Sequence, residues 1–246
     1  MGEAQAVLSM LTSPVYNKCS FTWLLSEVFM KYAVIGGTGY VGDAVVRELA
    51  ARGHAVTAFA RHTDKVFAAP NVQAVRADAH DADFAAQLTG FDAVVSAFSP
   101  GWDNPHFARD FTAAYAAIVA AAQTAQVPYL LVIGGAGSLL VDGVALVDTP
   151  DFPLQLFAVA DAERNLWRDL CRKREVNWAF LAPPLRFGED RAARPARTGR
   201  YRLGTDTLLL ANDGPAGIGL ADLAVAIADD VERKAHLHQH FTVAAV

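Results

Sequence analysis

The strongest constraint on the fold is a glycine cluster that directly follows a short apolar run, in the segment KYAVIGGTGYVG at residues 31–42. The apolar run is typical of a buried parallel strand, and the residues after the glycines have the apolar spacing of a helix that ends at Gly53. A second apolar run, HAVTAFAR, follows Gly53 at once. The segment therefore predicts a strand, a tight turn, a helix and a second strand.

In this context the glycines predict a loop that binds the diphosphate of a dinucleotide. They satisfy both G-x-G-x-x-G and G-x-x-G-x-x-G. Without side chains at the early glycines the backbone can approach a pyrophosphate, and the last glycine lets the helix pack closely on the strand, with its positive end toward the phosphates. A turn that serves tight packing alone is the alternative. The predicted loop residues are Gly36, Gly37, Thr38, Gly39, Tyr40, Val41 and Gly42.

The rest of the chain repeats the alternation of apolar runs and helical segments. Further runs typical of strands are VQAVRAD, DAVVSAFSPG, PYLLVIGG and VNWAFLAPP. Strands joined by helices form a parallel sheet with helices on both faces. We therefore predict a doubly wound α/β fold of the Rossmann type over residues 30–246. The pattern changes after Pro183, and residues 184–218 are expected to form most of a small C-terminal lobe over the carboxyl ends of the strands.

Residues 1–29 differ in character from the rest of the chain. We expect them to be a poorly ordered extension or a segment upstream of the natural start at Met30, because this kind of domain usually opens with its first strand. A short amphipathic helix over residues 23–29 is the alternative.

Composition excludes several classes of function. With 53% hydrophobic and 19% charged residues the chain can bury a large core, and its net charge of −5 argues against general nucleic-acid binding. No apolar run is long enough for a membrane span. The two cysteines, Cys19 and Cys171, form neither a disulfide scaffold nor a metal-ligand pair. We expect a cytoplasmic protein with a small-molecule substrate and no bound metal, as a monomer or a homodimer.

The residue after the second strand bears on the choice of dinucleotide. Proteins that bind NAD usually place a carboxylate there, for the ribose hydroxyls. Here the sequence is AFARHTDK, with Arg61 in the region and no carboxylate before Asp64. A guanidinium suits the 2′-phosphate of NADP. The sequence thus predicts NADP, with NAD still possible; an exposed loop arginine is the alternative.

Taken together, VIGGTGYVG, Arg61, Asp78, SAFSPG, VIGGAGSL and LAPPLRFG resemble the atypical short-chain dehydrogenases/reductases. The similar group is the NAD(P)H-binding one that includes NmrA-like proteins, NADH–flavin reductases and biliverdin reductase B. The resemblance covers nearly all of residues 30–246. It implies cofactor contacts that run from the adenine to the carboxamide, at Asp78, Ala79, Ala97, Phe98, Ser99, Gly134, Gly135, Pro183 and Pro184.

The chain departs from that resemblance at the catalytic pair. Typical short-chain dehydrogenases carry Tyr-x-x-x-Lys on the helix after the fifth strand, whereas here Phe157 and Asp161 stand at those positions. Ser138 in GAGSL matches the active-site serine and is the candidate catalytic residue, although its hydroxyl could instead cap a local turn.

A site without a strong acid suits an electron-accepting ring better than an isolated ketone. We therefore expect an NADPH-dependent oxidoreductase that passes hydride to a flavin, quinone or similar conjugated acceptor. The alternatives are a non-catalytic NAD(P)-binding redox sensor of the NmrA type and an epimerase or dehydratase acting on a nucleotide sugar. The missing tyrosine disfavours the last of these.

Overall fold

The computed structural model describes residues 29–101, 103–189, 192 and 195–246. The expectations for the N-terminal segment, residues 1–29, lie outside these ranges apart from Phe29. No helix in the described ranges is long and apolar enough to cross a membrane.

The described part of the chain is organised around an eight-stranded sheet. Its strands are β1 (Lys31–Ile35), β2 (Ala55–Ala60), β3 (Val72–Arg76), β4 (Ala93–Ser96), β5 (Leu130–Ile133), β8 (Trp178–Ala182), β9 (Arg202–Gly204) and β12 (His240–Ala244). They lie in the order β3-β2-β1-β4-β5-β8-β12-β9. Neighbouring strands are parallel except β12 and β9, which are antiparallel. Two short antiparallel pairs lie outside the sheet, formed by β6 (Leu140–Val141) with β7 (Val144–Ala145) and by β10 (Leu210–Ala211) with β11 (Gly214–Pro215).

Helices cover both faces of the sheet. They are α1 (Tyr40–Ala51), α2 (Phe84–Gln87), α3 (Phe107–Thr124), α4 (Leu154–Leu170) and α5 (Leu220–Arg233). In β1, Tyr32 and Val34 belong to the core formed with α1 and α5, whereas Ala33 and Ile35 belong to the core formed with α2, α3 and α4. This division results from the alternation of side chains along a strand.

Burial on both faces explains why the central strands are apolar throughout. Every residue of β4, β5 and β8 is buried, in the sequences AVVS, LLVI and WAFLA. Such continuous apolar runs are typical of parallel strands with helices on both sides. The predicted doubly wound α/β fold is confirmed.

The chain reverses its direction of winding between β1 and β4. It runs outward from β1 to β2 and β3, then returns to place β4 on the other side of β1. The carboxyl ends remain level there, since Ile35 pairs with both Phe59 and Ser96. In open parallel sheets, ligands bind in the crevice outside such a switch point.

The region expected to form a lobe, residues 184–218, is divided between the main sheet and its surroundings. Within it β9 is the edge strand of the main sheet, and β10 pairs with β11 in a separate hairpin. Pro184, Leu185 and Phe187 lie over the crevice. The assignment of this segment as a substrate lobe stays a prediction.

Candidate active site

A cavity of about 800 Å³ opens at the carboxyl ends of β1, β2, β3, β4, β5 and β8. Residues of α3 and α4 form its far wall. This volume is within the range that holds a cofactor or a small ligand. The cavity lies at the switch point of the sheet, where the fold leads us to expect a bound ligand.

The glycine loop forms the floor of the cavity, and its geometry requires glycine at two positions. Gly36 has φ +80° and a Cβ atom there would lie 2.7 Å from the carbonyl oxygen of Ala97. At Gly42 a Cβ atom would lie 2.1 Å from the carbonyl oxygen of Gly36, because the first turn of α1 packs directly on the loop. The N-cap residue Gly39 has no side chain to cap the helix, so this end of α1 is open to a ligand.

Nearly all the predicted cofactor residues are brought together around this cavity. Those that line it are Gly36, Thr38, Gly39, Tyr40, Val41, Arg61, Asp78, Ala79, Ala97, Phe98, Ser99, Gly134, Gly135, Pro183 and Pro184. Gly37 and Gly42 do not line it. They permit close packing instead, and a Cβ atom at Gly37 would lie 2.7 Å from that of Ala58.

One end of the cavity carries the polar groups that follow β2 and β3. Arg61 is exposed there, and within the described residues nothing forms a hydrogen bond or ion pair with it. Asp78 belongs to a turn in which its Oδ1 accepts a hydrogen bond from the amide of His80 at 3.0 Å. The arginine is therefore available to an anionic group of a ligand.

Ser138, the predicted catalytic residue, is not brought to the cavity. It is fully buried in a short 3₁₀ turn over Ala136–Ser138 and is absent from the cavity wall. Its Oγ donates a hydrogen bond to the carbonyl oxygen of Gly135 at 2.9 Å and lies 3.1 Å from Nε2 of His240. This placement favours the turn-capping role that the sequence left open, and it gives the hydroxyl no access to a substrate in the cavity.

His240 completes that buried pair. Burial lowers its pKa to about 4, so the imidazole is neutral near neutral pH. Because the serine hydroxyl donates to Gly135, the imidazole donates from Nε2 to Ser138 Oγ. Two other histidines of the same segment lie elsewhere, because His236 contacts Asp230 and His238 stacks on Trp178. His236, His238 and His240 therefore do not converge on one site. Among the described residues no group of three or more His, Cys, Asp or Glu side chains could hold a metal ion.

The residues at the positions of the short-chain dehydrogenase pair lie outside the cavity. Phe157 is 42% exposed, and Asp161 pairs with Arg164 and accepts a hydrogen bond from Asn165. Neither lines the cavity. These two side chains therefore do not take over the roles of the usual tyrosine and lysine.

Glu163 is the acidic residue of α4 that does line the cavity, and sequence reasoning missed it. Its carboxyl group lies against Gly135 at the end of β5, where an added Cβ atom would be 1.9 Å from Oε2. Burial raises the pKa of Glu163 to about 8, so a large fraction is protonated at neutral pH. The sequence feature that could have identified Glu163 is its position in the helix, four residues after the buried Val159 and therefore on the same face.

Tyr115 lies behind this part of the wall and is a structural residue. It is fully buried, and its hydroxyl donates to the carbonyl oxygens of Ser96 and Phe98 at 3.4 Å each. Burial raises its pKa above the ordinary value, with a further contribution from Glu163. Its hydrogen bonds hold the end of β4 and the start of the loop after it.

The switch-point crevice, the open helix terminus and the glycines with no room for side chains define a dinucleotide-binding protein of the Rossmann class. The chain belongs to the NAD(P)H-binding family, whose family model matches residues 36–230. This confirms the resemblance to the atypical short-chain dehydrogenases/reductases.

Individual relatives agree with this assignment. The uncharacterized protein YwnB of Bacillus subtilis is 35% identical over 219 residues, covering 87% of this chain and 98% of YwnB. A Streptococcus pneumoniae structure with the provisional name NADH–flavin reductase is 32% identical, with a TM-score of 0.77 over 88% of this chain and 100% of that one. A Bacteroides thetaiotaomicron structure provisionally named an epimerase is 31% identical, with a TM-score of 0.78 over 89% and 98%.

Proposed function

We propose that the protein is an NADPH-dependent oxidoreductase that transfers hydride to a flavin, a quinone or a similar conjugated acceptor. The observation that supports this most strongly is the continuity of the cavity. It extends from Arg61 past the glycine loop to Gly135 and Pro183, at the ends of β5 and β8. A dinucleotide needs such a path, with its diphosphate at the helix terminus and its two bases on either side.

Each part of NADPH would be held by a different part of the chain. The backbone of the glycine loop and the end of α1 would bind the diphosphate, and Arg61 would bind the 2′-phosphate. Gly134 and Gly135 contribute only backbone atoms to the cavity wall, and Phe180 and Glu163 fill the space that their side chains would take. Bound there, the reduced nicotinamide supplies a hydride, and the protein positions the acceptor beside it.

The walls beyond β5 and β8 suit a flat, largely apolar acceptor. Phe152 lines them from the loop before α4, and Leu156 lines them from the first turn of that helix. Leu185 and Phe187 line them from the segment after β8. Aromatic and aliphatic walls bind a conjugated ring by burying its faces. The relative provisionally named an NADH–flavin reductase supports the same class of acceptor.

The test is oxidation of NADPH by purified protein with FMN, FAD and a panel of quinones. We expect at least one acceptor to accelerate NADPH consumption, with stoichiometric reduction of the acceptor. The variant Gly39→Val is the matched control, since its side chain would project into the diphosphate site and should abolish both binding and turnover. If no acceptor accelerates the reaction of the wild-type protein, the proposed oxidoreductase function is wrong.

A second candidate is a non-catalytic NAD(P)-binding sensor of the NmrA type. It is favoured by Phe157 and Asp161, which occupy the positions of the usual tyrosine and lysine and lie outside the cavity. Tight NADPH binding without turnover, together with co-purification of a partner protein, would support it. Epimerase or dehydratase chemistry, suggested by the name of the Bacteroides relative, is disfavoured by the same missing tyrosine.

Three further expectations stay predictions: a cytoplasmic location, NADP rather than NAD, and a monomeric or homodimeric state. Light scattering of the purified protein would determine the last of these, and cell fractionation the first.

A further inference from the structure

An ionisable side chain of the cavity wall lies beside the end of β5, where hydride transfer would take place. Among the described residues, the other charged or titratable side chains in this wall come from α1, α3 or the loops after β2 and β3, and they are Tyr40, Arg61, Asp78, His80 and Asp110. Glu163 lies instead on α4 against the end of β5. Because the glycines after β5 would pass beside the nicotinamide, this carboxyl group would face the reacting atoms.

The surroundings of Glu163 leave its carboxyl group without a counter-ion. In the described ranges no side chain forms an ion pair or hydrogen bond with it. Its neighbour Arg164 is held by Asp148 and Asp161. An unpaired carboxyl in a partly apolar wall favours the protonated form, which can donate its proton.

In the described ranges, the titratable groups on the elements packed against α4 supply no counter-ion for Glu163. Tyr115 of α3 is fully buried and donates to backbone carbonyls. Ser138, in the 3₁₀ turn beside α4, donates to Gly135. His240 of β12 lies against Trp167, with ring centroids 4.6 Å apart, and is neutral because burial lowers its pKa.

We propose, on the basis of the proposed function, that Glu163 is the catalytic proton donor to the reduced acceptor. Hydride transfer breaks a C–H bond of the dihydronicotinamide and forms a new bond to hydrogen on the acceptor. The acceptor is thereby reduced by two electrons and left with negative charge on an oxygen or nitrogen. The O–H bond of Glu163 breaks and its proton forms a bond to that atom. The carboxylate then regains a proton from water, since the cavity is open to solvent.

This assignment narrows the class of acceptor. A carboxylic acid beside the nicotinamide end benefits acceptors whose reduced form is a basic oxyanion, such as quinones and conjugated carbonyl compounds. It benefits one-electron acceptors little, because their reduction needs no proton. We therefore expect quinones and conjugated carbonyls to be the better substrates.

The test compares Glu163→Gln with wild type in pre-steady-state hydride transfer from NADPH to a quinone over a range of pH. The matched control is Asp169→Asn, an exposed carboxylate of the same helix that lies away from the cavity. We expect E163Q to be about 100-fold slower at about pH 6. The wild-type rate should fall as pH rises through about 8, whereas the E163Q rate should not change there. D169N should match wild type.

Two readouts separate this role from a structural one. NADPH affinity, measured by fluorescence titration, should be nearly the same in E163Q and wild type. Infrared difference spectra of the unliganded protein should show a protonated carboxyl band that titrates near pH 8 and is missing in E163Q. If E163Q does not fold, Glu163→Asp should retain the basic limb of the pH profile at a reduced rate.

The outcomes distinguish the two proposals. If wild type turns over no acceptor, the proposed function fails and the donor role fails with it. If wild type is active and E163Q shows the same rate and pH profile, the function stands and the assignment of Glu163 is overturned.

Discussion

The carboxyl group of Glu163 occupies the space directly beside the backbone of Gly135, so that a Cβ atom on Gly135 would lie 1.9 Å from Glu163 Oε2. The contact joins α4 to the end of β5 across the wall of the cavity. Any side chain at position 135 must therefore displace the carboxyl group or move the strand end.

We expect Gly135→Ala to push the Glu163 carboxyl group toward water and return its pKa toward the ordinary range. The cost in stability should be about 1–3 kcal/mol, as for other insertions into a packed site. Thermal unfolding and infrared titration of the carboxyl group would measure both effects. Gly217→Ala is the control, since the nearest atom to its added Cβ would be 3.4 Å away. Equal stability and an unchanged titration in the two variants would contradict the prediction.

Substitutions at Gly42 and Gly39 should have different effects, the first on stability through packing and the second on nucleotide binding. Gly42→Ala places a methyl group 2.1 Å from the carbonyl oxygen of Gly36, so α1 must move from the loop. We expect a loss of roughly 1–3 kcal/mol in the free energy of unfolding. Gly39→Ala has a nearest contact of 3.2 Å and faces the cavity, so it should weaken NADPH binding with little loss of stability. Chemical denaturation and fluorescence titration test the pair, and equal effects on both quantities would contradict this division.

Arg61 should determine the preference for the phosphorylated dinucleotide. Arg61→Ser removes a cation that is exposed at the cavity edge, and a charged hydrogen bond is worth about 1.5–3 kcal/mol. We expect NADPH affinity to fall by roughly ten- to a hundredfold while NADH affinity stays the same. Arg76→Ser, an exposed arginine at the end of β3 outside the cavity wall, is the control. Equal losses for NADPH and NADH would remove Arg61 from this role.

The buried pair of Ser138 and His240 should make stability depend on pH. The native state binds a proton on His240 only near pH 4, whereas the unfolded chain binds it near its ordinary pKa of 6.5. Its contribution is thus fully present above pH 6.5 and is lost progressively as pH falls from there to about 4, by about 3 kcal/mol in all. Urea unfolding at several pH values should show this slope, and His240→Gln should flatten it. A parallel pH dependence in the two proteins would show that another group is responsible.

The glycine loop and the sheet were predictable because their signals are local. The sequence around Gly36 to Gly42 places a strand, a turn and a helix within a short stretch, and each part constrains the next. The buried strands are equally visible as unbroken apolar runs. The rules for crossover connections then limit the possible orders of the strands.

The chemistry in the cavity wall was less predictable because it depends on distant partners. Ser138 looked catalytic in its local sequence, yet its hydroxyl meets His240, which is 102 positions away. Glu163 matches the helical period of the buried face of α4, but the sequence does not say that β5 presents a glycine opposite it. Such pairings are properties of the tertiary fold and leave no local signature.

The position of β12 has a consequence for how the protein is made. This strand, residues 240–244, lies between β8 and β9 in the interior of the sheet. It is nevertheless translated after all the other strands of the described ranges. While the nascent chain is still on the ribosome, β8 presents an open, apolar edge that can pair with other chains. Ribosomes that stop before this strand should therefore release products prone to self-association.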